Sequence, residues 1–325
     1  MQQIDGNIFF EITQNFDFMP FTQSEGWRAF NSAKDENRFV FFVDNVENPQ
    51  IACMGHVKKF AWLKMLQIEG ECFADEKNID SKKIKDFYQE LIKTDFDIIE
   101  VNSSLIYNAL YEIGIRQAGF LRPVGMFSMP LSILIDLQNK ISYNRNWERN
   151  LKKAENFNLK FEIVENASQK DCSDFCEIFN SMSKRKALNN LNLQQVFALL
   201  NDKNFQLLFI KQNEIRIAGI IIFLNKNAQT AVGVFAASSQ KALENHATFF
   251  MYDVMFQYLK TQKINFYDMA RIAPSTHSKQ SVFIFKNGVK GEYLLYCGEF
   301  SFYKRHIYRP LMYFVKKYLF KRIEV

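Results

Sequence analysis

Three side chains near the C-terminal end have the types and spacing that acyl transfer requires. An apolar stretch at 266–272 predicts a strand that carries Asp268 and Arg271 to its end. A polar loop of Pro, Ser, Thr and His follows, and the stretch at 283–292 predicts a second strand that brings Lys286 into an Asn-Gly turn. One carboxylate and two cations at one edge suit an anionic substrate and a reaction that develops negative charge. The alternative is a hairpin with solvated ends, in which Asp268 and Arg271 form only a structural ion pair.

A basic run after residue 183 adds candidate phosphate ligands. Arg185 suits bidentate recognition of a phosphate, and Lys184 lies beside it. The alternative is a charged helix C-terminus whose cations complement the helix dipole. Both cations are therefore candidates for substrate binding.

Size and composition favour a packed protein of two domains. The chain has 325 residues, of which 48% are hydrophobic, so a disordered protein is excluded. The five cysteines show neither a paired framework nor metal-site spacing, and the four histidines are scattered. We therefore expect free thiols, no metal, no bound cofactor and no Ser-His-Asp triad. Neither a secretory leader nor an apolar run of membrane-spanning length is visible, which predicts a cytoplasmic protein.

The positive charge of the chain resides in residues 303–325. This stretch has seven bases and one acid, a balance equal to the formal net charge of +6 of the whole chain. Within it, apolar residues recur at helical spacing: Ile307, Leu311, Phe314, Val315, Tyr318 and Leu319. A basic amphipathic helix of this kind can bind anionic lipid or RNA phosphates. The alternative is a terminal helix that packs on the protein and leaves its lysines in solvent.

The predicted elements occur twice in a similar order. In each half, antiparallel strands precede a helix and a further strand, which favours a mixed α/β fold with an internal duplication. In the second half, strands at 205–211, 216–224 and 228–236 form a meander, and a helix at 243–260 and a strand at 265–269 follow.

The first half is predicted from weaker patterns. Strands are expected at 38–44, 50–58 and 64–68, and a return strand at 118–129. A polar passage at 131–143 predicts the boundary between the halves.

Four short motifs resemble those of the FemABX family and occur in the same order. They are Gln23-Ser-Glu-Gly-Trp27, the pair Ile133-Leu-Ile-Asp-Leu137 and Arg149-Asn-Leu-Lys-Lys-Ala154, the run Ser183-Lys-Arg185, and Phe266-Tyr-Asp268 with Phe285-Lys-Asn-Gly288. Their order and spacing extend the resemblance over nearly the whole chain.

Members of that family append amino acids to the peptide stem of peptidoglycan precursors, with aminoacyl-tRNA as co-substrate. The resemblance implies two tandem domains of the acetyltransferase (GNAT) fold, at 1–137 and 138–302, with a C-terminal helix at 303–325 that returns to the first domain. It implies a transferase for cell-wall biosynthesis whose acceptor is a nucleotide- or lipid-linked precursor. Peripheral contact with the inner face of the membrane through 303–325 is a further expectation.

The resemblance also implies roles for the candidate residues. Asp268 would take or hold the proton of the acceptor amine, and Lys286 would stabilise the oxyanion or bind the donor's phosphate. Arg271 would bind substrate, and Arg185 fits the position of a family Arg that contacts substrate phosphates. Trp27 lies in the first motif and is either a substrate contact or a packing anchor.

The motifs depart from the family pattern on the acceptor side. Val289-Lys290 replaces the family's Phe-Gly, Asn31 stands where a Lys often follows the Trp, and Glu100-Val-Asn102 lacks the usual Asp-Pro. Tyr267-Asp268-x-x-Arg271 is also similar to a branch of the superfamily found with exopolysaccharide genes. That branch implies an amino sugar as acceptor.

The donor can be argued from the turn after the strand at 228–236. An acetyl-CoA donor would need glycines there, so that backbone N–H groups meet its pyrophosphate, and residues 236–246 contain none. The first hypothesis is therefore an aminoacyl-tRNA-dependent transferase acting on a cell-wall precursor. The second is an acyl-CoA-dependent N-acyltransferase acting on an amino sugar of a surface glycan. The third is a non-enzymatic scaffold held at the membrane by its tail.

Overall fold

Strand pairing organises the molecule from end to end. The structure, a computed structural model, describes residues 1–33, 38–60, 62–124, 130–186, 188–272, 274 and 282–319. Within these residues, thirteen strands form one continuous mixed sheet against which the longer helices pack.

The first half contributes six strands and four helices among the described residues. In chain order these are β1 (Gln2–Ile4), α1 (Gly6–Thr13), α2 (Glu25–Ser32), β2 (Arg38–Val43), β3 (Ile51–Phe60), β4 (Leu63–Ile68), β5 (Cys72–Phe73), α3 (Ser81–Leu91), β6 (Ile98–Ile106) and α4 (Ala109–Gln117).

The rest of the described chain follows the same alternation. Its elements are β7 (Leu131–Asp136), α5 (Arg145–Ala154), β8 (Leu159–Val164), α6 (Gln169–Lys186), α7 (Leu193–Leu200), β9 (Phe205–Gln212), β10 (Ile215–Asn225), β11 (Thr230–Ser238), α8 (Gln240–Glu244), α9 (Ala247–Thr261), β12 (Phe266–Asp268), α10 (Val282–Lys286), β13 (Glu292–Tyr303) and α11 (Tyr308–Phe314). A π-helical turn, Val315–Leu319, ends the described chain.

The strand order makes the duplication visible. It runs β1-β2-β3-β4-β6-β13-β7-β12-β11-β10-β9-β8, with β5 beside β3. In the first half, the antiparallel strands β2, β3 and β4 lead through α3 to β6, which is parallel to β4. In the second half, antiparallel β9, β10 and β11 lead through α8 and α9 to β12, which is parallel to β11. The predicted mixed α/β fold with tandem GNAT-like halves is therefore confirmed.

One long strand joins the two halves. β13 pairs with β7 through its first residues, Glu292–Leu295, and with β6 from Tyr296 onward. The sequence analysis did not predict this strand. The predicted domain limits at 137 and 302 stay predictions.

Each half has its own apolar core. In the second half, α9 presents Met251, Met255 and Leu259 to the sheet, and this spacing of four residues lines one helix face. In the first half, α3 buries Ile84 and Leu91 against α4 and the strands in the same way. Burying such faces away from water drives the helices onto the sheet.

One predicted element near the site has another structure. The stretch at 283–292 is predicted as a strand, but it begins with the short helix α10. β12 already has β11 and β7 as neighbours, so no edge beside it is open for another strand. The apolar residues Phe283 and Phe285 instead pack against the core of the second half. The polar loop predicted at 273–281 lies, apart from Pro274, outside the described residues.

Three further predictions need correction. The helix expected at 243–260 is two helices, α8 and α9, separated at His246, whose φ of 55° is left-handed. In the described part of 118–129, only Leu121 pairs, in a single bridge with Ser301, and 125–129 are not described. The passage at 131–143 is predicted to be polar, but it begins with the apolar strand β7, which lies between β13 and β12 in the sheet; the boundary predicted there stays a prediction.

The C-terminal helix returns to the first half, as predicted. Tyr308 and Met312 of α11 pack on Leu63 of β4 and Ile98 of β6. The predicted helical stretch at 303–325 begins later than expected, because β13 extends to Tyr303. Residues 320–325 lie outside the described part of the chain. Among the described helices, none is long and apolar enough to span a bilayer.

Candidate functional site

A cleft of about 820 Å³ opens between the two halves. The first half lines it with the segment before α2 and with residues at the ends of β4 and β6, and the second half with β11 and β12. Asp268, Arg271 and Trp27 all line this cleft. Three other predicted site residues are not among its described lining residues: Lys184, Arg185 and Lys286.

Three donors hold the carboxylate of Asp268 in the cleft. Its Oδ1 accepts hydrogen bonds from the Ser132 hydroxyl and, at 2.8 Å, from the backbone N–H of Ala270. Its Oδ2 accepts a hydrogen bond from the Tyr296 hydroxyl. A carboxylate offers about four acceptor positions, so one position on Oδ2 remains for a substrate donor. The sequence identified Asp268, but it did not identify Ser132 and Tyr296, which come from the flanking strands β7 and β13.

The backbone turns sharply after Asp268. Ala270 has a φ of 59°, a left-handed conformation that costs a non-glycine residue roughly 1–3 kcal/mol. The Ala270 carbonyl lies 3.0 Å from the Ser132 hydroxyl, whose single proton it can only share with Asp268, and the Asp268 side chain accepts from the Ala270 N–H at 2.8 Å. These bonds offset the strain and hold the turn that leads to Arg271.

Arg271 reaches across to the first half. Its Nη2 donates to the carbonyl of Ser103 on β6 at 2.9 Å, and its guanidinium carbon lies 4.8 Å from the ring centre of Tyr296. Burial lowers the pKa of Arg271 below its ordinary value, while the acidic groups around it partly oppose that shift. The structural ion pair between Asp268 and Arg271 is absent, since the described hydrogen bonds of Arg271 go to β6. Its Nη1 is buried and has no hydrogen-bond partner among the described residues.

Lys286 contacts the turn that carries Arg271 rather than the open cleft. Its Nζ donates to the carbonyls of Ala270 and Arg271, at 3.2 and 3.4 Å. Burial lowers the pKa of Lys286 from 10.5 to about 8, and the charge of Asp268 opposes part of that shift. The structure therefore brings Asp268, Arg271 and Lys286 into one cluster, with Lys286 in its wall.

A close approach between Gly288 and Trp147 positions α10 and its lysine. A Cβ at Gly288 would lie 2.0 Å from Cδ1 of Trp147, so only glycine fits there. The Trp147 indole N–H donates to the carbonyl of Phe285 at 2.8 Å. Trp147 is buried and stacks on Tyr143, which makes it a packing anchor for the Phe-Lys-x-Gly motif.

The first motif, Gln-Ser-x-x-Trp, aims an aromatic side chain at the cleft. Gln23 is buried and donates to the carbonyl of Met54 at 3.0 Å, which ties the segment to β3. Ser24 caps α2 by accepting from the N–H of Trp27 at 3.2 Å. Trp27 stacks on Phe30 with a ring separation of 5.1 Å and lines the cleft. Its two predicted roles, packing and substrate contact, are thus compatible in one position.

Glu69, which the sequence analysis missed, is a second carboxylate in the cleft. It follows β4 directly. Burial raises the pKa of Glu69 above its ordinary value, and the charge of Lys58, a hydrogen bond from Trp27 and the charge of Arg271 offset part of that rise. A Glu before a Gly at the end of an apolar strand was the available signal, but such residues are usually turn residues in solvent.

The predicted phosphate ligands lie apart from the cleft. Arg185, near the end of α6, is exposed and donates to the carbonyl of Ser238 at 2.8 Å. Lys184 beside it is exposed as well. Both occupy a helix C-terminus, where cations interact favourably with the dipole. Their predicted role in substrate binding stays a prediction.

The cluster has the parts that acyl transfer to an amine requires. Asp268 offers a free acceptor position, Glu69 is a second carboxylate whose pKa burial raises, and Nη1 of Arg271 has a proton to donate to a developing oxyanion. All three line one cleft of sufficient volume for a substrate.

Sequence comparisons find no match. No protein-family model matches the chain, and neither does any curated protein.

Solved structures with the same fold exist at very low sequence identity. A crystal structure of FemX superposes with a TM-score of 0.75 at 11% identity, and the match covers 96% of this chain and 100% of FemX. L-PGS from Bacillus licheniformis matches with a TM-score of 0.61 at 12% identity, covering 94% of this chain and 98% of its own. A C-terminal DUF2156 domain assigned to lysylphosphatidylglycerol synthetase from Agrobacterium fabrum gives 0.63 at 10% identity, with 96% and 95% covered. The chain therefore has the FemX fold over nearly its whole length, and the resemblance predicted from the motifs is confirmed at that level.

Proposed function

We propose that this protein is an aminoacyltransferase of the FemABX type, which moves an amino acid from aminoacyl-tRNA to an amine of a cell-wall precursor. The observation that carries the proposal is the carboxylate of Asp268. It is held by three donors in a cleft between two GNAT-like halves, beside a guanidinium nitrogen without a described partner. The full-length similarity to FemX and to the structure assigned to lysylphosphatidylglycerol synthetase supports the reaction class.

In the proposed reaction, the acceptor amine attacks the carbonyl carbon of the aminoacyl ester. The C–N bond forms first and gives a tetrahedral intermediate, and collapse of that intermediate breaks the ester C–O bond. The proton lost by the amine passes to a carboxylate of the cleft, for which we assign Asp268, and then to the departing ribose oxygen. A neutral amine is needed for attack, and a carboxylate at hydrogen-bond distance from it supplies the base.

The tetrahedral intermediate carries negative charge on the former carbonyl oxygen. Nη1 of Arg271 is the donor we assign to that oxygen, because it is buried in the cleft wall and lacks a described partner. A fixed donor of this kind stabilises the transition state without reorganising during the reaction. Lys286 holds the carbonyls of Ala270 and Arg271 and so fixes the position of that guanidinium.

A transfer assay tests the proposal directly. The purified protein is incubated with tRNA charged with radiolabelled amino acids, and a UDP-linked muramyl pentapeptide and a glucosamine trisaccharide are offered as acceptors. We expect label in an acceptor in an amide that resists mild alkali. Absence of transfer from every charged tRNA to either acceptor would contradict the proposal.

An acyl-CoA-dependent N-acyltransferase that modifies an amino sugar is the second candidate. The structure of the turn after β11 argues against coenzyme A at that position. Ser239 occupies it, and its hydroxyl already accepts from the N–H of Ala242 at the start of α8. Calorimetric titration with acetyl-CoA separates the two candidates, since saturable binding would favour the second one.

We also propose that the C-terminal helix holds the enzyme at an anionic membrane surface. α11 packs on the first half, yet Ile307 and Phe314 on its outer side remain 67% and 56% exposed. Trp62, in the turn between β3 and β4, is 78% exposed, and the next residue, Leu63, packs on the helix. Exposed Arg305 and Arg309 complement acidic headgroups, and aromatic side chains favour the membrane interface. The proposed donor, aminoacyl-tRNA, places this surface on the cytoplasmic side.

A further inference from the structure

One lysine of the C-terminal helical segment is buried. Lys316, in the π-helical turn that follows α11, has a side chain that is 1% exposed and forms an ion pair with Glu100 of β6 at 3.0 Å. The other bases described after residue 303 are exposed: Lys304, Arg305, Arg309 and Lys317. Burial of an ion pair recovers its desolvation cost only in part, and an apolar side chain would hold the helix on the sheet at least as well. The buried charge therefore indicates a role beyond attachment.

Lys316 lines a small pocket between this helical turn and the strands β4, β6 and β13. The pocket has a volume of about 30 Å³, and its described lining includes two acids, Glu100 and Glu299, and one base, Lys316. This volume admits a water molecule, through which polar groups of the pocket can interact. Removal of the Lys316 charge would leave two negative charges and no positive charge among the described lining residues. Lys316 thus sets the charge balance of the pocket.

One face of β6 connects this pocket to the cleft. Glu100, Asn102 and Ser104 occupy alternate positions of the strand, so their side chains lie on the same face. Asn102 lines both the pocket and the cleft, and Glu299 of β13 lies opposite it in the sheet. At the cleft end, the Ser104 hydroxyl is 3.4 Å from Nη2 of Arg271. The pocket and Arg271 are therefore the two ends of one polar stripe.

Arg271 lies between acids on two sides. Asp268 and Glu69 line the cleft, whereas Glu299 lines the pocket and is not among the described cleft residues. Burial lowers the pKa of Arg271, and the charges of these three acids oppose part of that shift. Nη2 donates to the Ser103 carbonyl at 2.9 Å, and Nη1 has no hydrogen-bond partner among the described residues. Because only one end of the guanidinium is bonded in this way, its position depends on the balance of the surrounding charges.

We propose that Lys316 is a positioning residue for Arg271, whose guanidinium it keeps in the wall of the cleft by offsetting the acids on the pocket side. Without the Lys316 charge, Glu100 and Glu299 attract the guanidinium more strongly, because charges interact strongly where water is largely excluded. The guanidinium then moves from the Ser103 carbonyl toward the pocket. This inference rests on the proposed function, in which Arg271 stabilises the oxyanion, and it makes transfer dependent on the docking of the C-terminal helix.

Two substitutions separate the charge of Lys316 from its packing. Lys316→Met keeps an unbranched side chain and removes the charge, and the addition of Glu100→Gln restores the charge balance of the pocket. We expect Lys316→Met to lower kcat at least about tenfold with little change in the acceptor KM, since the assigned role of Arg271 is in the transition state. We expect the double variant to regain kcat within about threefold of the wild type. A double variant as slow as Lys316→Met would overturn the inference, because lost packing would then explain the effect.

An exposed ion pair provides the matched control. Lys160 forms an ion pair with Glu214 at 2.6 Å, with the two side chains 59% and 69% exposed, and neither residue lines the described cleft. Lys160→Met should therefore leave kcat unchanged. Thermal melts establish that each variant is folded at the assay temperature. Equal values of kcat for folded Lys316→Met and Lys160→Met would also overturn the inference.

Crystal structures of the wild type and the variants give a readout that does not depend on transfer. In Lys316→Met, we expect Nη2 of Arg271 to lie beyond about 3.5 Å from the Ser103 carbonyl, and in the double variant to return to hydrogen-bond distance. Asn102→Asp adds a carboxylate to the same pocket while Lys316 stays, and should displace the guanidinium in the same direction even if Lys316→Met does not fold. An unmoved guanidinium in the folded variants would reject the positioning role.

The outcomes for the site and for the function are separable. A displaced guanidinium in Lys316→Met, with no transfer by the wild type from any charged tRNA, would reject the proposed function and keep the positioning role. Transfer by the wild type, with kcat and the Arg271 position both unchanged in Lys316→Met, would support the function and reject the positioning role.

Discussion

The proton on Lys286 controls a measurable pH limit of activity. Burial lowers its pKa to about 8, so the ammonium loses its charge within the range in which the enzyme can be assayed. Loss of this charge weakens the two charge-assisted hydrogen bonds that Lys286 donates to the carbonyls of Ala270 and Arg271. We expect kcat/KM to fall as the pH rises through 8.

The size of the effect follows from the pKa. A group with a pKa of about 8 is about nine-tenths protonated at pH 7 and about one-tenth protonated at pH 9. If only the charged form supports the reaction, kcat/KM falls about tenfold between these values. Lys286→Met has no such proton, so its lower activity should show no falling limb in this range.

Stability changes in the opposite direction and serves as the control. Between about pH 8 and 10.5 the folded chain has released this proton while the unfolded chain still holds it. The unfolded state then binds more protons, so this group makes the protein more stable as the pH rises through that window. A loss of activity above pH 8 therefore cannot be attributed to unfolding caused by Lys286.

The assay measures kcat/KM for the acceptor, at saturating charged tRNA, between about pH 6.5 and 9.5. Spontaneous hydrolysis of the ester is subtracted at each pH. Parallel pH profiles of the wild type and Lys286→Met between pH 7 and 9 would refute the reasoning, because the fall in kcat/KM would then be caused by the titration of another group.

Three further predictions concern the supporting structure. Gly288→Ala forces a methyl group against the buried indole of Trp147. We expect it to displace α10, which crystallography of the variant can check, and to reduce the rate of transfer at least about tenfold. An unchanged rate would contradict the packing argument. Lys316→Ala removes the cation that forms an ion pair with Glu100 at 3.0 Å. We expect it to lower the free energy of unfolding, measured by urea titration, by roughly 3 kcal/mol. A loss below about 1 kcal/mol would show the pair to be dispensable. Trp62→Ser with Phe314→Ser should weaken sedimentation with vesicles containing anionic lipid at least about fivefold, without a change in transfer to a soluble acceptor, and unaltered sedimentation would remove the proposed membrane surface.

The sequence predicted the elements with strong local patterns. The predicted limits of the meander strands β9, β10 and β11 agree with the structure to within two residues at each end. These strands are rich in β-branched and aromatic residues and are bounded by turn residues, so local propensity and tertiary packing agree. The duplicated order of elements was visible for the same reason.

The parts that depend on distant contacts were not predictable. β13 crosses from one half to the other, and nothing in its own sequence indicates that its two ends pair with different strands. The apolar run around Phe285 is predicted as a strand, but it forms the helix α10, in which Phe285 packs on Trp147. Glu69 lines a cleft that the second half completes, so its Glu-Gly sequence alone does not distinguish it from a turn residue in solvent.

In the candidate site, too, some residues could be predicted from local sequence and others depend on distant contacts. Asp268 and Arg271 were identified by type and position, and they line one cleft. The groups that orient Asp268, the hydroxyls of Ser132 and Tyr296, lie more than a hundred residues apart in the chain and are brought together only by the sheet.

The central claim, that the carboxylate of Asp268 takes part in the chemistry of the cleft, is tested most directly by a single-turnover rate. Asp268→Asn keeps the size of the side chain and removes its negative charge, and Asp95→Asn makes the same substitution at a position that is 88% exposed. With charged tRNA and an amine acceptor at saturation, we predict at least about a hundredfold lower rate of amide formation for Asp268→Asn and an unchanged rate for Asp95→Asn. A folded Asp268→Asn variant that transfers the amino acid within about twofold of the wild-type rate would contradict the account.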